Sequence, residues 1–180
     1  MNRERIVIGA AAFFFPAGSA FTVPSSGTAS RTAKPGAADT GWINLGEADW
    51  TLTPDNKSTP FYARSSGKQM LYDKITTQVG LKLKGKLMEM QNLSFQMLLG
   101  TLALPVSPTA GGQFNPGEGD PIVRGWLQLQ QRNAAQALVC TYDLFVAMNI
   151  PGDVKFEEGP VDIDVEAELL ASTLNTGSLV

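Results

Sequence analysis

Hydrophobic and polar residues alternate with a period of two over much of this chain, the spacing of half-buried β-strands. The cleanest run is VDIDVEAEL, residues 161–169. Val161, Ile163, Val165, Ala167 and Leu169 fall on one side of it, and Asp162, Asp164, Glu166 and Glu168 on the other. A second run spans Ile75 to Leu87. There Ile75, Thr77, Val79, Leu81, Leu83 and Leu87 share one face, and Lys82, Lys84 and Lys86 share the opposite one. The alternation slips between Gly85 and Glu89, which predicts a bulge or the strand's end. Ile6–Phe15 predicts an opening strand, turned by Pro16-Ala17-Gly18. Short extended segments are expected at 49–53 and about 58–64, around Pro54-Asp55-Asn56. IVRGWLQLQQ (122–131) alternates and Arg132-Asn133 is turn-like. QALVCTYDLFVAM (136–148) is apolar on both faces, as a strand interior to a sandwich or barrel would be. Turns at Pro151-Gly152-Asp153 and Gly159-Pro160 bracket a short strand, VKFEE.

One segment has a different period. QNLSFQMLLG predicts a single short helix, with Asn92 as N-cap, Leu93, Met97 and Leu98 toward a core, and Gly100 closing it. Two stretches have no period at all. Residues 16–41 are rich in Ser, Thr, Ala, Pro and Gly, and residues 101–121 carry four prolines and four glycines. Both read as long loops or arms, or as ordinary surface loops. The tail from about 172 to 180 is expected to be mobile. The sum is a single mainly β domain of 180 residues, a β-sandwich or barrel with one short α-helix and long loop arms.

Composition sharpens this picture in three ways. Only 17% of residues are charged, while glycine and proline number 18 and 11, which leans further toward a β-rich fold. No histidine is present, so a Ser-His-Asp set is excluded and the commonest metal ligand is missing. The lone cysteine, Cys140, forbids an intrachain disulfide, and its apolar surroundings predict a buried, inert thiol. GGQFNPGEGD lacks the lysine and following helix of a phosphate loop. Neither a glycosidase carboxylate pair nor a Ca²⁺ cage is expected of a flat strand face. No enzyme, catalytic residue, cofactor or metal is expected.

The net charge of −3 is unevenly placed: residues 141–180 hold eight acids and one base. A basic patch for gripping nucleic acid is not the theme. Like charges two apart on one strand repel, so the four carboxylates need a reason. They read as the solvated face of an edge strand that blocks aggregation, as partners for the lysine row on a neighbouring strand or subunit, or as a negative surface facing a polyanion. The opening MNRERIVIGAAAFFFPAGSA reads as the first strand or as a signal peptide. Its apolar run is too short to span a membrane.

The order of elements carries a resemblance. The apolar opening strand and long loop lead to Gly41-Trp42-Ile43-Asn44-Leu45-Gly46. A strand then closes on Glu89, and the Glu89-x-x-Asn92-Leu93 entry begins a helix ending Leu98-Leu99-Gly100. A hairpin follows, then a hydrophobic/acidic strand after Phe156-Glu157-Glu158-Gly159. Over about residues 6–171 this resembles the major tail tube protein of long-tailed, non-contractile bacteriophages. The resemblance implies a β-sandwich protomer in the virion tail that forms hexameric rings. The rings stack into a tube through which genomic DNA passes without sequence-specific binding. Tape-measure, tail-tip and terminator proteins are the other implied partners, and no membrane is. It also implies a place for the carboxylates, because a conduit for DNA gains from walls that repel phosphates. Asp162, Asp164, Glu166 and Glu168 are then expected to face the lumen, and Lys82, Lys84 and Lys86 a neighbouring subunit or the exterior. The alternative is a secreted or surface β-sandwich binding module with a cleaved leader and Trp-bearing ligand loops.

Overall fold

The computed structural model describes residues 7–16, 34–46, 50–65, 67–87, 92–100, 120–155 and 163–179. Their elements are β1 (Val7–Pro16), β2 (Ile43–Gly46), β3 (Thr51–Pro54), β4 (Lys57–Ser65), β5 (Lys68–Gln78), β6 (Leu81–Leu87), α1 (Asn92–Leu99), β7 (Val123–Asn133), β8 (Leu138–Asn149), β9 (Ile163–Leu169) and β10 (Thr176–Leu179). The fold is mainly β and its strand pairs are antiparallel. The main sheet runs β2-β1-β7-β8-β9-β6-β3, with β10 on β8, while β4 and β5 form a separate two-stranded ribbon.

One face of the main sheet builds the core. A continuous apolar cluster extends from Ala12 and Phe14 on β1, through Leu127 on β7 and Val146 and Met148 on β8, to Ile163, Val165 and Ala167 on β9 and Leu83 and Leu87 on β6. Leu93 and Met97 of α1 join the same cluster. The helix stops where its sequence predicts: Gly100 takes a left-handed φ of 69° and its N–H bonds the Gln96 carbonyl at 2.8 Å. A smaller cluster of Phe15, Trp126 and Phe145 sits on the opposite face of β1, β7 and β8. Both faces of these strands are therefore covered at one end, as the apolar 136–148 run predicts.

The opening segment is a central strand. β1 pairs with β2 on one side and β7 on the other, and Phe14 and Phe15 are fully buried. Of the arm expected at 16–41, Pro16 closes β1 and residues 34–41 lie close to the sheet. There the Lys34 ammonium binds the Asp143 carboxylate and donates to Thr176 Oγ1 at 3.1 Å. Residues 17–33 and 101–119, most of the two expected arms, lie outside the described residues.

Three expectations need correction. The run 75–87 is not one strand: it breaks at Val79-Gly80, and Ile75 and Val79 are exposed at 50% and 81%. Gly80 is the pivot, because its carbonyl accepts the Asp55 N–H at 2.8 Å, and a Cβ there would meet the Asp55 carbonyl oxygen at 2.9 Å. The chain beyond that pinch leaves the sheet. The tail is not free either: β10 pairs Thr176–Leu179 with Cys140–Asp143. Asn175 holds it there, accepting from the Phe145 N–H at 2.7 Å and donating to the Leu170 carbonyl at 3.0 Å. Finally, Arg132-Asn133 belongs to β7, and the turn follows it. Asn133 Oδ1 accepts from the Ala135 and Ala137 amides, both at 3.0 Å, and Gln136 takes the left-handed φ of 60°.

Candidate assembly surfaces

Antiparallel pairing of β6 with β9 sets Lys82 opposite Glu168, Lys84 opposite Glu166 and Lys86 opposite Asp164. Residues directly opposite share a face. Beneath them Leu83, Leu87, Ile163, Val165 and Ala167 are buried, so every charge on these strands points outward. Lys84 Nζ meets Glu166 Oε1 at 2.5 Å, and Lys82 Nζ lies 3.6 Å from both Glu168 Oε1 and Asp55 Oδ2. Asp162 lies outside the described residues.

The lysine row and the carboxylate row are thus one surface. They cannot be divided between a lumen and an exterior, as the sequence suggested they might be. Of the readings open to VDIDVEAEL, pairing with a neighbouring strand is the arrangement found. Three positive side chains face three negative ones, so the field alternates over a few ångströms and largely cancels beyond a Debye length of ~8–10 Å. Exposed pairs of this kind contribute little to stability. Their stronger effect is on register, because a one-residue slip would bury charge and expose the apolar row.

Glu166 raises the Lys84 ammonium above its ordinary pKa of 10.5, first by accepting its hydrogen bond and then by its charge. A raised pKa means that the pair's contribution is complete below that ordinary value and fades as pH climbs through the higher, folded one. Glu166→Gln is expected to return Lys84 toward its ordinary titration, read by NMR at the lysine ε-carbon, with stability near pH 7 little changed. An unmoved Lys84 midpoint would contradict the pairing.

The second surface is the β4–β5 ribbon. Its nine-residue strand would reach ~30 Å at about 3.4 Å per residue. Register places Tyr62 opposite Leu71 and, one step on, Ala63 opposite Met70. Successive pairs face opposite sides, so apolar side chains project from both. Phe61 is 47% exposed, Tyr62 60%, Met70 62%, Leu71 59%, Tyr72 80% and Ile75 50%. Among the described residues, no third strand pairs with the ribbon. A lone two-stranded hairpin is marginal in water, and this one leaves six large apolar side chains uncovered. Sequence reading expected a short extended segment at about 58–64 and placed Ile75 on an apolar strand face, but it did not single out this surface. The available signal was Ser66-Gly67, a turn dipeptide between two runs rich in β-branched and aromatic residues.

A third surface lies on the far side of β7. Beyond Trp126 its outward residues become polar and form a directed chain. Arg132 donates to Gln130 Oε1 at 2.8 Å, Gln130 to Gln128 Oε1 at 2.7 Å, and Gln128 to Asp143 Oδ1 at 2.7 Å, where Lys34 also binds. An open groove of about 400 Å³ runs beside it, lined by Phe13, Asp39, Trp42, Gln128, Gln130 and Arg132. Its polar groups are largely engaged with one another, and the Trp42 indole N–H is held by the Gly36 carbonyl at 2.9 Å. Cys140 is buried, as its sequence context predicts. No group of three His, Cys, Asp or Glu able to hold a metal occurs among the described residues. No helix among them is long and apolar enough to cross a membrane.

Neither a protein-family profile nor a curated protein matches this sequence at significance.

Proposed function

We propose that this chain is a structural protein that assembles with copies of itself into stacked rings, forming the tube of a non-contractile phage tail through which DNA is delivered. The observation that carries the proposal is the β4–β5 ribbon, apolar on both faces and paired with no third strand among the described residues. Such an element gains its burial from another molecule. Repetition of one chain supplies that burial without any further partner.

The paired charges of β6 and β9 suit the bore of such a tube. Lysines already matched to carboxylates have little positive charge left to displace counterions from DNA. A duplex passing such a wall is neither gripped nor strongly repelled. This replaces a purely acidic lining with a charge-balanced one, and friction is kept low by cancellation instead of by repulsion.

The groove beside Trp42 is the feature that favours the other reading, a secreted binding module. Against it, leader cleavage near residue 20 would remove β1, a strand paired on both sides whose Phe14 and Phe15 are fully buried. The full-length protein, concentrated and viewed by negative-stain microscopy, is expected to form hollow tubes. Persistent monomers across protein concentration and ionic strength would overturn the assembly reading. Cryo-EM of the tubes would place β6 and β9, and their appearance on the outer wall would overturn the bore assignment alone.

A further inference from the structure

We infer that the groove beside Trp42 binds a neutral saccharide chain, a function separate from assembly and independent of it. The strands beneath the groove offer no free backbone: β1 is paired with β2 and β7, and β7 with β1 and β8. A peptide cannot add to them as a further strand, so recognition falls to side chains. Gln128, Gln130 and Arg132 are alternate residues of β7 and stand in a row on one face, about 7 Å apart. Each glutamine spends one N–H and one oxygen lone pair in the chain that ends on Asp143. A carboxamide has two of each, so each keeps one donor and one acceptor. A hydroxyl is itself a donor and an acceptor, and neighbouring hydroxyls on a sugar ring match such a pair. Two half-buried aromatic rings stand beside the row. Phe13 lies directly opposite Gln128 across β1 and β7, and Trp42 lines the same groove. They offer apolar surface to the C–H face of a sugar. The charged groups lining the groove, Asp39 and Arg132, cancel, so it lacks the cationic surplus that binds a phosphate polymer.

The groove is built before a ligand arrives. The hydrogen bonds of the β7 row all run one way, from Arg132 to Asp143, and both ends are fixed. Arg132 also donates to the Gln136 carbonyl at 3.0 Å, and Asp143 carries the Lys34 ammonium. The direction of the chain sets which side of each amide presents oxygen and which presents nitrogen. The opposite wall is equally set. The Gly36 N–H donates to Asp39 Oδ2 at 2.6 Å, the Asp39 N–H returns to the Gly36 carbonyl at 3.1 Å, and the same carbonyl holds the Trp42 indole. Ordering long polar side chains is a main cost of gripping a ligand, and here the fold has already met it. The volume of about 400 Å³ is in the range of small-ligand sites, and the open form suits a chain better than a single enclosed sugar.

The test is isothermal titration calorimetry of the full chain with maltohexaose, cellohexaose, laminarihexaose and xylohexaose. At least one is expected to bind with a Kd on the order of 0.1–1 mM, weak because the groove is open. Q128L/Q130L is expected to weaken that binding at least ~10-fold, because both hydrogen-bonding amides are lost. Tryptophan emission gives a second readout in the unmutated protein. The bound sugar is expected to shift it, and Trp42→Phe to abolish the shift while heat is still released. That pair of results places the sugar at this wall whether or not the double variant folds. No heat with any of the four sugars up to about 10 mM would overturn the inference. So would unweakened binding by a folded double variant, or an emission shift that survives Trp42→Phe. Saturable binding of a thymidine oligonucleotide or of polyphosphate here, in place of the sugars, would overturn it as well. Protein that never forms tubes leaves the saccharide site standing, and tubes that bind no sugar leave the assembly reading standing.

Discussion

Trp126→Ala is expected to cost about 3–5 kcal/mol, the range for removing a buried large aromatic. Trp126 is fully buried against Phe15 and Phe145, its ring 5.3 Å from that of Phe145, and Trp42 closes edge-on over Phe15 at 5.4 Å. The three residues are direct neighbours across the β1–β7–β8 ladder, and Trp126 is the middle side chain, on which the other two pack. Domains are typically stable by ~5–15 kcal/mol, so the variant would lose a large share of the total. At about 2–4 °C per kcal/mol for a chain of this size, the melting temperature should fall by roughly 6–20 °C. Trp126→Phe separates packing from hydrogen bonding. The indole Nε1 is buried without a partner among the described residues, so phenylalanine forfeits no hydrogen bond and keeps most of the ring contact. Less than half of the alanine penalty is expected, read by urea unfolding with unchanged m-value. Equal penalties for the two variants would show that the N–H has a partner after all.

Gly125→Ala, one residue away, is expected to destabilise against the usual trend. Glycine inside a strand normally costs ~0.5–1 kcal/mol relative to alanine, so backbone propensity predicts a gain. Space predicts the opposite. A Cβ at Gly125 would stand 2.6 Å from the Phe14 ring and closer still to the backbone carbonyl oxygen of Phe15. Neither obstacle can swing aside: the first is a fully buried ring and the second is the backbone of β1, paired through Pro16 and Phe15 to Gly125 and Trp126. The two strands must separate, which at ordinary overpacking costs means a loss of about 1–3 kcal/mol or more. Gly152→Ala is the control, because a Cβ there meets nothing within 4 Å and φ is not in the left-handed range. That change should be neutral or slightly stabilising, by up to ~1 kcal/mol. A stabilised Gly125→Ala variant would refute the close approach of β1 and β7.

Period-two alternation is a property of backbone geometry, so the sequence by itself determined which residues of IDVEAEL and LKLKGKL face outward and which face a core. It determined α1, Asn92–Leu99, and its closure at Gly100 just as well, because a glycine C-cap and the 3.6-residue period are equally local. It also located the strands later found as β1, β7 and β8, and with them the β class, and it ruled out histidine chemistry and an internal disulfide. What it could not determine is which strand lies beside which. The lysines of β6 and the acids of β9 are about 80 residues apart in sequence and meet only because antiparallel pairing sets Lys84 on Glu166. Only the tertiary structure showed that Ile75 and Val79, with the same alternation as Leu81 and Leu83, are left uncovered: a local pattern says that a face is apolar and not whether anything packs on it. The four-residue β10 was equally illegible, since TGSL has no core-facing period and is held by the edge of β8 and by Asn175. Local geometry is written in neighbouring residues, whereas burial and pairing are settled by contacts between distant ones.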